Sequence, residues 1–255
     1  MSSRLFPGEI ALALILVASR VLGVEDEPRG WGSAWIVPHS TEEKIARERS
    51  DRLSKAVNAQ DWPTVSNILE QLERNDPKSW ELLSIEGYVA TLRHRYTEAV
   101  NYYDRALTLL ADSNRVARSK LYVDRATAQA LSGSYHGARG DLEKAIALDK
   151  ANILAHNNYA WLLATCPDRT VRDGQRAVQY ARGASETLKH GSSMVLDTLA
   201  AAEAEIGDFR SAVKDEKRAL SLAKGDRSIY HQHLESYINA SPVREAPEPP
   251  RTPGQ

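Results

Sequence analysis

A short segment recurs three times along this chain, and this internal repeat constrains the fold more than any other feature of the sequence. The copies read HRYTEAVNYYDRALTL (94–109), GSYHGARGDLEKAIAL (133–148) and GDFRSAVKDEKRALSL (207–222). In each copy an aromatic residue is followed by two alanines, which are Ala99 and Ala106, Ala138 and Ala145, and Ala212 and Ala219. This spacing places both alanines on one face of an α-helix, where a neighbouring helix can approach closely.

A second amphipathic segment precedes each copy. The small residues Gly87, Ala126 and Ala200 lie nine positions before the three aromatic residues. Residues 61–77 fit the same frame without a perfect match. The repeating unit is therefore a helix–turn–helix of about 34 residues. Because one unit cannot bury its apolar stripe alone, we expect the units to stack around a continuous core.

The order of small, aromatic and alanine positions resembles the tetratricopeptide repeat (TPR) family over about residues 46–226. The resemblance implies an all-α, right-handed α-solenoid of about five repeats. We assign the repeats to 46–79, 80–113, 119–152, 152–191 and 193–226, followed by a capping helix at 227–240.

The fourth repeat departs from the pattern. With Asn158 in its first helix and Ala177 in its second, the separation is 19 residues, against 12 between Ala126 and Ala138, so we predict a loop seven residues longer at 165–174. The phrases LATCPD and RDG around this loop, with LDTLAAA and GDF beyond it, resemble a subgroup of exported bacterial TPR proteins. The loop either carries a function, or its residues Thr170 and Asp173 cap the next helix.

The two ends of the chain do not share the repeat pattern. Residues 1–23 contain a basic residue, an apolar run at 10–18 and small residues just before position 24. This pattern indicates a signal peptide at 1–23, or an uncleaved anchor. We therefore expect a periplasmic or extracellular protein, with a linker at 24–45. Residues 241–255 hold five of the eleven prolines, which predicts a disordered tail.

Composition excludes several functions. The net charge is −1, which gives no reason to expect a nucleic-acid partner, and a membrane is expected only through the N-terminal segment. The single cysteine, Cys166, excludes a multi-thiolate zinc site. His231 and His233 are two positions apart on a predicted helix and cannot share a metal. We find no metal motif or carboxylate–histidine motif in the sequence, and expect no cofactor.

In TPR proteins the first helix of each repeat lines a concave groove. Carried over position by position, the resemblance gives these groove candidates: Arg47, Asp51, Ser54, Ser84, Tyr88, Lys120, Asp124, Thr127, His156, Tyr159, Asp197 and Thr198. Their charges are mixed, and Lys120 alone matches the cationic clamp of chaperone-binding relatives. An acidic chaperone tail is therefore not the expected ligand.

Two functions remain open at this point. The first is a non-catalytic scaffold that binds a peptide or a partner protein in the groove, because the repeats offer an extended surface and no catalytic constellation is evident. The alternative is an enzyme, or an accessory subunit of one, that uses Cys166 and the long loop. The sequence favours the scaffold. It does not identify the partner or the oligomeric state.

Overall fold

The computed structural model describes residues 41–75 and 79–245, with side chains for 48–74 and 79–245, and all regular structure in these ranges is α-helical. The predicted signal peptide and residues 246–255 lie outside the described residues. The helices are α1 Thr41–Asn58, α2 Trp62–Asn75, α3 Trp80–Leu92, α4 Tyr96–Leu109, α5 Arg115–Leu131, α6 Tyr135–Leu148, α7 Ile153–Thr165, α8 Gly174–Thr187, α9 Ser193–Glu205, α10 Phe209–Leu222 and α11 Ser228–Ile238.

Successive helices correspond to the predicted repeats, with two differences at helix starts. Each predicted repeat coincides with one pair, from α1–α2 to α9–α10, and the predicted capping helix coincides with α11. α1 begins at Thr41, inside the segment predicted as a linker, and α5 begins at Arg115 rather than at residue 119. Repeat boundaries drawn from the alanine pattern therefore miss helical turns that the pattern does not cover.

The helices fall into two compact units. Among the described residues, the first unit comprises 41–75, 79–93 and 101–111. A Cβ atom added to Gly87 would lie 2.8 Å from Cε1 of Tyr103, so this position accepts only glycine without movement of the ring. The core of this unit is formed by Leu53, Ala56, Val57, Val65, Ile68, Leu72, Leu82, Ile85 and Val89.

The second unit comprises residues 94–100 and the described chain from 112 onward. Within it the first helices α5, α7 and α9 contact one another in order, each packs on its own second helix, and α11 packs on α9 and α10. The repeat alanines Ala138, Ala145, Ala212 and Ala219 are each 0% exposed, which confirms that they lie at the helix–helix contacts.

Most turns inside the repeats of this unit are short. α5 and α6, like α9 and α10, are joined by three residues, and the central glycines Gly133 and Gly207 have φ of 85° and 83°. Glycine adopts this left-handed conformation at little cost. α7 and α8 are joined instead by the eight residues 166–173, so this connection is five residues longer (8 − 3) than the others.

The predicted excess of seven residues is wrong because it takes Asn158 as the reference position of α7. Ala126 lies five positions before the last residue of α5, and Ala200 lies five positions before the last residue of α9. The residue five positions before the last residue of α7 is Ala160, not Asn158. The two-residue error in register accounts for the difference between seven and five.

None of the helices in the described ranges is both long enough and apolar enough to cross a bilayer.

Candidate functional site

The C-terminal residues 241–245, predicted as part of a disordered tail, are docked on α7 and α9. The backbone N–H of Glu245 donates to the carbonyl of Thr165 over 3.0 Å. The indole N–H of Trp161 donates to the carboxylate of Glu245. Val243 packs against the core of the second unit. A non-helical segment of chain thus binds at the C-terminal end of α7, and the prediction of disorder is wrong for these five residues.

Arg244 connects the same segment to α9. Its guanidinium donates to the carboxylate of Glu205 over 2.5 Å and to the carbonyl of Ala164 over 3.3 Å. Carbonyls in the last turn of a helix have no partner within the helix, and a cation there is favoured by the helix dipole. The end of α7 and the carboxylate of Glu205 therefore form a binding place for a basic side chain.

The long connection 166–173 also forms hydrogen bonds to Glu205 and to the end of α7. Nε of Arg172 donates to Glu205 over 3.0 Å, and its Nη1 donates to the carbonyl of Cys166 over 2.8 Å. The backbone N–H of Asp173 donates to the carbonyl of Leu163 over 3.0 Å. The connection is therefore fixed to the ends of both α7 and α9, and it holds the Glu205 carboxylate in position.

Thr170 and Asp173 are the two loop residues considered as caps of α8, and one of them caps it in the structure. Asp173 is the N-cap of α8, and its carboxylate accepts from the N–H of Arg176 over 3.1 Å. Thr170 does not cap the helix; its hydroxyl donates to Asp168 over 2.7 Å.

Cys166 lies at the start of the loop and is 2% exposed. Burial raises the pKa of its thiol above the ordinary value. A nucleophilic cysteine needs a lowered pKa and access to the substrate, so the environment of Cys166 matches a packing role.

The groove candidates divide by exposure. Asp51 and Lys120 are exposed, and Ser54, Tyr88, Asp124, Thr127 and His156 are partly buried. The side chain of Arg47 lies outside the described ones. Burial raises the pKa of Asp124 to about 7, and the charge of Lys120 opposes this rise. Whether any of these residues contacts a partner stays a prediction.

Four other candidates are buried and present no side chain to the surface: Ser84, Tyr159, Asp197 and Thr198. The hydroxyl of Tyr159 donates to Glu143 over 2.6 Å. Asp197 pairs with His233 of α11 over 2.8 Å between Oδ1 and Nδ1. Because these four side chains are buried, they do not face solvent, where a partner would bind.

Trp161 and Glu205, which contact the docked segment, are not among the groove candidates. Trp161 follows Ala160 as Thr127 follows Ala126, so the corrected register of α7 places it at a groove position. Glu205 is the last residue of α9 and the thirteenth position of the fifth repeat, which is also a groove position in the TPR frame. The helix ends that reveal this register come from the structure, so the sequence pattern alone missed Trp161.

Three residues far apart in the chain form a buried polar cluster. The cluster consists of Asp197 of α9, Glu216 of α10 and His233 of α11. The side-chain atoms of these residues that could bind a metal lie within 4.8 Å of one another. His231, by contrast, is exposed. The sequence reveals no carboxylate–histidine motif because each member comes from a different helix.

Comparison with solved structures gives two crystal structures of MamA. One has a TM-score of 0.51 at 17% identity and covers 67% of this chain and 93% of MamA. The other has a TM-score of 0.50 at 16% identity and covers 75% and 93%. The TPR domain of P58(IPK) covers 92% of this chain and 79% of that domain, but its TM-score of 0.34 at 11% identity supports no inference.

No family model and no curated protein sequence matches this chain. The likenesses to solved structures concern the fold alone. Together with the helix pairs described above, they confirm the predicted fold class, an all-α, TPR-like solenoid.

Proposed function

We propose that this protein is a non-catalytic interaction scaffold that binds an extended segment of a partner protein on the surface formed by α7 and α9. The observation that carries the proposal is the docking of residues 243–245 on this surface. The TPR-like fold supports it, since such repeats present extended binding surfaces.

The contacts define the chemistry of the ligand. Carbonyls at the end of α7 accept from a backbone N–H and from a guanidinium, as in an extended peptide whose main chain supplies much of the affinity. Glu205 selects a basic side chain, and the indole N–H of Trp161 selects an acidic one. The expected ligand is therefore an extended segment with an apolar, a basic and an acidic residue in succession.

The segment 243–245 of the chain itself has this order, Val-Arg-Glu. It occupies the surface that the partner needs, so partner binding requires displacement of the chain's own segment. The apparent affinity for a partner is then reduced by the fraction of molecules in which the surface is occupied.

A competition experiment on the full chain tests this function. The probe is a fluorescently labelled peptide SPVREAPEP, which copies residues 241–249, and binding is followed by fluorescence anisotropy. We expect the Arg244→Ala/Glu245→Ala double variant, whose own segment is weakened, to bind the peptide at least about 10-fold more tightly than the unaltered chain.

The controls use the same chain and peptide. Glu205→Gln added to the double variant should remove the gain, and the peptide SPVAAAPEP should not bind. Lys189→Ala, at an exposed residue 16 positions before Glu205, should behave like the unaltered chain. Equal binding of both peptides, or no binding to the double variant, would contradict the proposal.

The alternative, an enzyme or accessory subunit that uses Cys166, has less support because this thiol is buried and its pKa is raised. Replacement of Cys166 by Ser separates the alternatives, since peptide binding should persist in the variant.

We also propose that the protein acts outside the cytoplasm, on the support of the signal-like residues 1–23. N-terminal sequencing of the native protein tests this: a mature chain that begins at Val24 supports export, and an intact Met1 in the cytosolic fraction contradicts it.

A further inference from the structure

The buried cluster of Asp197, Glu216 and His233 contains a set of donor atoms suited to a metal ion. The residues are 1%, 0% and 5% exposed, and their three donor atoms lie within 4.8 Å of one another. Three different helices, α9, α10 and α11, supply one residue each. We propose that this cluster is a binding site for one divalent transition-metal cation, with Zn²⁺ the best match.

The donor types support this choice. Zn²⁺ binds imidazole nitrogen and carboxylate oxygen at about 2.0–2.2 Å in tetrahedral sites, so two donors of one ion lie about 3.3–3.6 Å apart. Nδ1 of His233 and Oδ1 of Asp197 are 2.8 Å apart, and all three donors lie within 4.8 Å of one another. Shifts of up to about 1 Å therefore bring the three donors to the spacing that the ion requires.

The charges of the cluster also favour a bound cation. Two carboxylates close together in a low-dielectric interior repel each other, and a buried charge is costly unless it is compensated. A divalent cation bound by both carboxylates would offset this repulsion.

Two aromatic rings lie near the imidazole of His233. Its centroid is 5.9 Å from that of Trp161 and 6.2 Å from that of Tyr237. Ligands fixed by their surroundings bind a metal with less loss of conformational freedom. A bound ion would join the C-terminal α11 to α9 and α10 and stabilise that end of the repeats.

The test uses the full chain, stripped with a chelator and titrated with Zn²⁺ by calorimetry and with Co²⁺ by visible absorption. We expect one ion per chain, and a rise in Tm of ~5 °C or more at a hundredfold excess of Zn²⁺ over Kd. Asp197→Asn and Glu216→Gln should each weaken binding at least about 100-fold.

The matched control is His231→Gln, which alters an exposed histidine of the same helix and should bind Zn²⁺ like the unaltered chain. If a variant of the cluster does not fold, anomalous diffraction at the zinc edge locates the ion in crystals of the unaltered protein. An ion at any other place, stoichiometric binding that survives His233→Gln, or no binding at all overturns the proposal.

Discussion

The guanidinium of Arg172 and the carboxylate of Glu205 are joined by a hydrogen bond of 3.0 Å between Nε and Oε1. This pair links the long α7–α8 connection to the end of α9. Both side chains are largely buried, at 20% and 15% exposure, so solvent screens their interaction less than it screens a surface pair. Glu205 binds Arg244 through its other oxygen, so the loop positions the carboxylate that receives the docked segment.

Replacement of Arg172 by Gln should therefore lower the free energy of unfolding by about 1–3 kcal/mol. The variant leaves the carbonyls of Cys166 and Pro167 without this donor and removes one cation from Glu205. Urea unfolding measures the change. Arg169→Gln, at an exposed residue of the same loop, should stay within ~0.5 kcal/mol of the unaltered chain; equal losses in both variants would contradict the role of the pair.

Two glycines provide a test of backbone conformation with opposite expected signs. Gly207 has φ of 83° and open space where the Cβ of an alanine would lie, so Gly207→Ala should cost ~1 kcal/mol through the left-handed backbone alone. Gly183 lies inside α8 with equally open space, so Gly183→Ala should stabilise the protein by up to ~1 kcal/mol. Thermal unfolding should show Tm shifts in opposite directions. A loss of stability in both variants would contradict the assignment of opposite backbone effects to the two glycines.

Asp141 of α6 and Arg125 of α5 form a two-pronged ion pair, with contacts of 2.6 and 2.7 Å. The Asp141 side chain is only 4% exposed. Asp141→Ala removes both contacts between this carboxylate and the Arg125 guanidinium, so it should cost about 3–5 kcal/mol in chemical unfolding. Glu98→Gln removes an exposed pair with Arg95 and should change stability by less than ~0.5 kcal/mol. A small effect of Asp141→Ala would mean that water reaches the pair.

Periodic features of the sequence predicted much of the fold. Ala138 and Ala145 recur at helical spacing because a neighbouring helix approaches them, and both are fully buried. Gly133 marks a turn because its φ is positive. Such requirements act on neighbouring positions of the chain, so they leave a readable pattern.

The candidate site left no such pattern. Asp197, Glu216 and His233 meet only because three helices pack together. The docking of 243–245 depends on Trp161 and Glu205, and a proline-rich stretch is compatible with both a disordered and a docked extended chain. The register of α7 is hard to read from the sequence because its long connection to α8 disturbs the spacing on which the alignment rests.

The pH dependence of stability should reflect Glu203 of α9, which is 5% exposed. Burial, reinforced by the charges of Asp215 and Asp208, raises the pKa of its carboxyl from 4.5 to about 7, against opposing charges on Arg182 and Lys214. The folded chain therefore holds a proton that the unfolded chain releases at lower pH. Stability from this group is fully present below pH ~4.5, falls as pH rises toward 7, and stays low above that.

Glu203→Gln keeps the group neutral and should remove this fall. We expect the variant to exceed the unaltered chain by about 1–3 kcal/mol in the free energy of unfolding at pH 8, and to differ little from it at pH 4.5. A fall of comparable size should persist in both proteins over the same range, because the pKa of Asp124 is also raised, from 3.8 to about 7. Urea unfolding at both pH values measures the difference, with Glu186→Gln, at an exposed residue of α8, as the control. A constant offset between Glu203→Gln and the unaltered chain at the two pH values would show that Glu203 does not titrate in this range.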